Sequence, residues 1–384
     1  MDFAWRSSDD AFRQRLRDFL EGALPARWHA DYALKGPGSH KMMQFAKSFV
    51  PKMADAGLLT RHWPKAFGGE ESSPWEHIIL SEELYSCGEP RSSAYMATNF
   101  IGPAIMRFGT PEQKEHHLGA IARGDVFWCQ GFSEPSAGSD LASLRTMATP
   151  VNGGYLINGS KIWTSYAHSA DYCFLLARVE GEAGHAAGIT VFMLDMKTEG
   201  ILVRPISSIA GEGDLHEVFF TDVFAPHSAR LGEEGRGWQI VRTALHGERV
   251  GAARYEFANR ALARAIEVLR ERDMLRDPLI ARRVLDAQAT VEATRLLVYK
   301  VIDMRVKDVP PTAETSIARH LMMQSDRIVG ALVLDYLPDA ATRDGDPFLF
   351  MMIEHSRTAG IAAGASEIQL NLISRDMLNL PREK

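Results

Sequence analysis

The stretch Trp128–Ala177, WCQGFSEPSAGSDLASLRTMATPVNGGYLINGSKIWTSYAHSADYCFLLA, decides the fold. Its opening run, Phe132-Ser133-Glu134-Pro135-Ser136-Ala137-Gly138-Ser139-Asp140, cannot be regular structure. Pro135 and Gly138 interrupt any ladder or helix, and small hydroxyl and acidic residues crowd the rest. Such a loop offers backbone N–H groups and hydroxyls to a polar ligand. The segment Gly153–Trp163, GGYLINGSKIW, reads as two short strands turning at Asn158-Gly159, a favoured tight-turn pair. Asp171–Ala177 follows as a buried strand.

Working outward, the period on either side is helical. Upstream, Ser8–Leu24 sets Phe12, Leu16, Phe19 and Leu20 at helical spacing, and Pro25 stops the run. Helices are also expected over Lys41–Ala56, Trp75–Cys87 and Ser92–Phe108. Thr110-Pro111-Glu112-Gln113 reads as a helix start, with Thr110 as N-cap and Gln113 three residues on. Downstream, Ile189–Asp195, Ile201–Pro205 and Glu217–Phe224 are short, apolar strands. Beyond Gly237, the long runs Gln239–Arg272, Pro278–Lys307 and Thr315–Leu334 repeat apolar residues every three or four positions, as a helical bundle does. The expected architecture is α+β and multi-domain: an N-terminal helical domain (1–127), a middle β-domain (128–232) and a C-terminal four-helix-bundle-like domain (233–384).

The bulk properties exclude several classes. The 384 residues are 46% hydrophobic and 24% charged, an ordinary globular balance. A net charge of −6 gives no basis for nucleic-acid binding. No apolar run approaches the roughly 20 residues that span a bilayer, so no membrane partner is expected. Cys87, Cys129 and Cys173 are widely spaced and form neither a disulfide framework nor a zinc pattern. The polar start of the chain carries no signal-peptide pattern, so the expected compartment is the cytosol.

The central stretch resembles the flavin-binding core of the acyl-CoA dehydrogenases. Ser133–Asp140 matches that family's T/S-E-P-x-A-G-S-D loop, Asn158–Ser165 its N-G-x-K-x-W-[IT]-[TS] hairpin, and Ala170-Asp171 the start of its next strand. Trp63–Gly69, Gly109–Lys114, Asp222–Pro226, Gly232–Trp238 and Gly364–Gln369 match further family elements in order, so the resemblance covers essentially the whole chain. Several motifs in register are a far stronger signal than one glycine pattern.

What the resemblance implies is removal of two hydrogens from a saturated acyl-CoA thioester. A base must take the α-proton, and a cofactor must accept hydride, because no side chain does so. The implied cofactor is FAD, held by Gln130, Phe132, Ser133, Ser139, Trp163 and Ser165, with Ala365 and Glu367 from the C-terminal segment. Phe132 and Ser133 would lie against the isoalloxazine, Trp163 over a ring face, and Ser165 near N5. The thioester would meet Ser139, Arg249 and the backbone N–H of Ala363. Many family members place the catalytic Glu at the position of Ala363, which cannot take a proton. A second family solution puts it in an x-E-R segment, here Gly247-Glu248-Arg249, and Glu248 is the expected base, with Glu367 and His246 as rivals. Burial between flavin and acyl chain would raise a carboxylate's pKa towards the range a base needs.

Two family signatures are missing. An R-x-x-F-G segment should fall near Arg272–Pro278, which reads RDMLRDP, and a G-G-x-G segment near Leu334–Pro338, which reads LDYLP. These normally reach a neighbouring subunit's cofactor. Either the adenosine half is held differently, in a homotetramer, or the chain pairs with a related chain in an α2β2 assembly. The expected electron acceptor is an electron-transfer flavoprotein. A non-catalytic companion subunit and a flavin oxidase or monooxygenase on the same fold stay open as alternative readings.

Overall fold

The computed structural model describes residues 5–29, 38–179, 186–209, 211–248, 253–342, 344–361 and 364–381. The chain forms two compact units. One gathers Met1–Leu34, Ser72–Pro90 and Arg249–Lys384; the other gathers Lys35–Glu71 and Arg91–Glu248.

The second unit holds the sheet. Its strands are β1 (Trp128–Gly131), β2 (Met147–Val151), β3 (Gly154–Ser165), β4 (Tyr172–Val179), β5 (Ile189–Asp195), β6 (Ile201–Ser208), β7 (Gly211–Pro226) and β8 (Arg230–Leu231). Their order is β6-β7-β3-β2-β4-β5-β8, with β1 parallel to β4 along the edge that β2 also joins. β4 is apolar from Cys173 to Ala177 because both its faces are buried there. Cys173, Leu175, Ala177 and Val179 join one core with Tyr155, Ile157 and Phe192, while Phe174 and Leu176 join another with Trp128, Val191 and Met193.

The expected turn at Asn158-Gly159 is not there. β3 runs unbroken through that pair, and the hairpin turns six residues earlier, at Asn152-Gly153, where Val151 pairs with Gly154 and Gly153 has φ +83°. Asn158-Gly159 is instead an irregularity in the pairing of β3 with β7. Gly159 has φ +147°, and a Cβ there would lie 2.7 Å from Thr146 Oγ1. The Asn158 amide is spent across the sheet: its Nδ2 donates to Asp222 Oδ1 and its Oδ1 accepts from Asp222 N, both at 2.9 Å. Two Asn-Gly pairs were available, and strand pairing chose between them.

Three helices complete this unit's N-terminal part: α2 (His40–Asp55), the composite α4 (Ala94–Met96, a π turn Ala97–Ile101, and Gly102–Phe108) and α5 (Pro111–Arg123). The capping box expected at Thr110 is formed, its hydroxyl accepting from Gln113 N and the Gln113 side chain from Thr110 N. The π turn in α4 has a sequence cause. Gly102 N bonds Ala97 O, five residues back, and Pro103 has no N–H for Thr98 O. That carbonyl accepts from Trp63 Nε1 at 2.8 Å and from His62 Nε2 at 3.2 Å instead. α6 (Gly237–Glu248) closes the unit with Ile240 and Val241 in the core.

The first unit is helical: α1 (Ser7–Ala23), α3 (Pro74–Ser86), α7 (Tyr255–Glu271), α8 (Pro278–Val306), α9 (Glu314–Tyr336), α10 (Pro347–Thr358) and α11 (Ser366–Asp376). The expected run Gln239–Arg272 is therefore two elements, α6 and α7. Phe257, Ala261, Leu262, Ala265 and Leu269 of α7 pack with Val284, Ala287 and Val291 of α8 and Val329 and Val333 of α9. A second core centres on Glu82 of α3, whose carboxylate accepts from Arg13 at 2.7 Å, Tyr255 Oη at 2.5 Å and Tyr299 Oη at 2.6 Å. A buried carboxylate survives because all of these donors converge on it.

Candidate active site

The loop Phe132–Asp140 is fixed by a buried ion pair that holds it to β3. Lys161, with no exposed surface, donates through Nζ to Glu134 Oε1 at 2.8 Å and to the Phe132 carbonyl at 3.0 Å. Glu134 also accepts from the backbone N–H groups of Arg145 (2.6 Å) and Thr146 (2.8 Å). Burial pushes the Glu134 carboxyl upward, but Lys161 and these donors outweigh it and leave the pKa below the ordinary range. Burial lowers that of Lys161 in turn, with Glu134 opposing it. Beyond the pin, Glu134 and Ala137 exchange backbone hydrogen bonds at 2.9 and 3.0 Å, and the chain reverses around Pro135-Ser136. Neither Glu134 nor Lys161 was singled out from the sequence, although both stand in the quoted motifs. An acid and a base fixed within otherwise small and apolar patterns were the available signal.

The same pin sets Ser133 beside β3: the Ser133 carbonyl accepts from Ile162 N at 2.9 Å. There β3 carries a second bulge, between Lys161 and Thr164, opposite Val218 and His216 of β7. Trp163 sits on the bulge with φ +60°, a left-handed conformation that is costly for an aromatic residue, and its side chain is 55% exposed. Thr164 turns inward and is buried, while Ser165 is half-buried. So the structure brings Phe132 and Ser133 beside the segment of β3 that carries Trp163 and Ser165, and Gln130 is the penultimate residue of β1. Ser139 lies on the exposed arm of the loop.

The chemistry of this surface fits a flavin. Among the described residues, the Ser133, Ser139 and Ser165 hydroxyls make no hydrogen bond to the protein, which leaves donors for a polar ring edge or a phosphate. An exposed indole on a bulge offers a flat apolar face on which a planar ring can stack. Phe132, 6.1 Å from the Phe174 ring, backs the loop with apolar surface. No group of three or more His, Cys, Asp or Glu among the described residues could hold a metal.

The remaining expected residues lie elsewhere. Glu248 is the last residue of α6, in the sheet-bearing unit; its side chain and that of His246 are outside what the structure describes. Arg249 and Ala363 lie outside the described residues. Ala365 is the N-cap of α11 and Glu367 stands exposed in its first turn, both in the helical unit. Each segment without a family signature has one residue in an ion pair with a residue outside it: Arg272 with Asp339 at 2.8 Å, and Asp335 with Arg283 at 3.1 Å. No helix among the described residues is long and apolar enough to cross a membrane.

Comparison with known proteins agrees with this geometry over the whole chain. Residues 7–125, 129–223 and 235–378 match the acyl-CoA dehydrogenase N-terminal, middle and C-terminal domains in turn. Acyl-CoA dehydrogenase IpdE1 of Mycobacterium tuberculosis is 32% identical over 385 residues, covering 97% of this chain and 98% of that protein. Among solved structures, the Tcur3481-Tcur3483 steroid ACAD superposes with a TM-score of 0.89 at 27% identity. The ChsE4-ChsE5 complex from Mycobacterium tuberculosis superposes with a TM-score of 0.90 at 26% identity. In each case 100% of both chains is covered. With all three domains matched and the pinned loop and bulged indole where they are, the chain belongs to the acyl-CoA dehydrogenase family.

Proposed function

We propose that this chain carries out FAD-dependent α,β-dehydrogenation of an acyl-CoA thioester, with Glu248 as the base. The observation that carries the reading is the surface formed by Phe132, Ser133, Trp163 and Ser165. It offers an exposed indole on a strained bulge, next to a loop of unspent hydroxyls held by the Glu134–Lys161 pair. When bound, FAD supplies the electron sink that accepts the β-hydrogen as hydride.

The chain's own residues supply the rest. Trp163 covers one face of the ring and excludes water from it, while Ser133 and Ser165 donate to its polar edges. Ser139 meets the pyrophosphate or the pantetheine, and Gln130, Ala365 and Glu367 are proposed as further cofactor-binding residues. Glu248 removes the α-proton, and Arg249 is proposed as a substrate-binding residue. The backbone N–H of position 363 stabilises the thioester oxygen as charge builds there, a role indifferent to the alanine side chain.

The assembly is proposed to be α2β2 with a related chain. The loss of both neighbour-facing signatures, at Arg272–Pro278 and Leu334–Pro338, supports this. Two of the superposed proteins also carry paired names in their titles. One of them is titled a steroid ACAD, which makes steroid-derived acyl-CoA thioesters the first substrates to try. Electrons would pass to an electron-transfer flavoprotein in the cytosol.

The test incubates the protein with a panel of straight-chain and steroid acyl-CoA thioesters and an artificial electron acceptor, with products read by mass spectrometry. Loss of two hydrogens from one thioester class, abolished in Glu248→Gln, is the expected result. An unchanged product yield in Glu248→Gln would remove Glu248 from the base role, and Glu367 would be examined next.

A further inference from the structure

Two histidines that the dehydrogenation reading does not use lie directly behind the Trp163 segment. His216 of β7 is 1% exposed and stands opposite Thr164. Its Nδ1 lies 3.2 Å from the Thr164 carbonyl, and its Nε2 lies 3.1 Å from Nδ1 of His168. The two rings are 4.8 Å apart and tilted by 31°. His168 belongs to the short turn Ala167–Ser169 that follows Ser165.

A carbonyl only accepts, so His216 Nδ1–H must be the donor to Thr164. In the neutral ring, Nε2 is then an acceptor, and His168 Nδ1–H donates to it. Both rings are held neutral: burial lowers each pKa, that of His168 to about 4, with His216, His40 and Lys47 adding repulsion. The charged and titratable groups acting on His168 from outside the pair are His40 and Lys47 of α2. The backbone of Asp214 accepts from Tyr166 N at 3.0 Å.

The segment between Trp163 and His168 contains two non-glycine residues in the left-handed region, Trp163 at φ +60° and Tyr166 at φ +59°. Such residues persist only where surrounding contacts over-determine them. Here His216 holds the segment at both ends, through the Thr164 carbonyl and through the His168 ring. We infer that His216 and His168 form a two-imidazole clasp that positions Trp163 and Ser165, and that His216 is a positioning residue for flavin binding. This rests on the reading that Trp163 and Ser165 face the flavin.

The test uses the full chain purified with its cofactor. His216→Leu removes the donor; His216→Asn keeps an N–H near the Nδ1 position; His168→Ala strips the outer ring from an exposed position that tolerates truncation. Two quantities are read: backbone hydrogen exchange over residues 163–170 in the flavin-free protein, and the FAD dissociation constant by fluorescence titration. In His216→Leu both should change by about tenfold, faster exchange and weaker binding, the scale of one lost hydrogen bond. His168→Ala should move both in the same direction by a smaller factor, and His216→Asn should recover most of the loss. Unchanged exchange in His168→Ala and His216→Leu overturns the clasp. If His216→Leu does not fold, His168→Ala decides alone. Faster exchange with unchanged FAD affinity overturns the positioning role. FAD affinity unmoved by Trp163→Ala would instead overturn the flavin-facing reading beneath it.

Discussion

Replacing Lys161 by methionine tests the loop-pinning argument with a magnitude and a sign. The substitution keeps the aliphatic stem and removes an ammonium that has no exposed surface. Glu134 then loses its cation at 2.8 Å, and the Phe132 carbonyl loses its donor at 3.0 Å. Breaking one side of a buried ion pair costs about 3–5 kcal/mol, because the surviving charge stays buried. Glu134 keeps the Arg145 and Thr146 amides, which partly solvate it, so the lower end applies, about 3 kcal/mol at pH 7. The sign with pH follows from the lowered carboxyl pKa. In the wild type, the stabilisation is present above the unfolded value of about 4.3 and is lost as pH falls through the lower folded value. In the variant the cation is gone and protonation relieves the buried charge, so the deficit shrinks on going from pH 7 to about pH 4.5. Urea unfolding followed by circular dichroism at the two pH values measures it, and Glu134→Gln added to Lys161→Met should recover most of the loss. A loss at pH 7 below about 1 kcal/mol, the range of an exposed pair, or an equal loss at both pH values, would refute the reasoning.

Three further outcomes follow from other parts of the fold. Gly102→Ala builds a Cβ 2.3 Å from Trp63 Cζ2 in the buried packing under the π turn, and should cost about 1–3 kcal/mol or more by thermal unfolding; a melting temperature equal to wild type would mean that Trp63 is free to move. His117 is 7% exposed, packs against Trp128 and Tyr172, and is held neutral by burial and by His116, with a pKa of about 4. Because its folded pKa lies below the unfolded value of about 6.5, the unfolded chain binds more protons between the two, and stability rises with pH across that window; His117→Phe should flatten the slope by one proton's share. Trp163→Ala should leave the urea midpoint within about 0.5 kcal/mol of wild type, since an exposed side chain carries little of the fold, yet weaken FAD binding measurably; a large loss of stability with intact FAD affinity would make Trp163 structural.

The sequence made some levels of this molecule legible and concealed others for identifiable reasons. Elements whose signals are local were plain: Thr110 with Gln113 three residues on, the apolar stripe of α1, and the apolar run Cys173–Ala177 of β4. The candidate cofactor surface was legible because its residues are contiguous in two short motifs. What stayed hidden was decided by partners distant in the chain. Asn158-Gly159 has the composition of a turn, but β7 pairs across it and Asp222 takes the Asn158 side chain. The apolar period from Gln239 to Arg272 does not reveal where α6 ends and α7 begins. The π turn needed Pro103 and Trp63 to be considered together, 40 positions apart in the sequence. Nothing local to Lys161 signals its burial; only the fold brings Glu134 and the Phe132 carbonyl around its ammonium. His216 and His168 carry no motif, and only the pairing of β3 with β7 brings them together.

The most direct test of the central claim is the visible spectrum of the purified protein under anaerobic conditions, before and after addition of an acyl-CoA thioester from the active class. The account predicts a bound flavin whose absorption bleaches in the wild type and persists in Glu248→Ala, with FAD still bound. Bleaching of equal extent and rate in Glu248→Ala would contradict it.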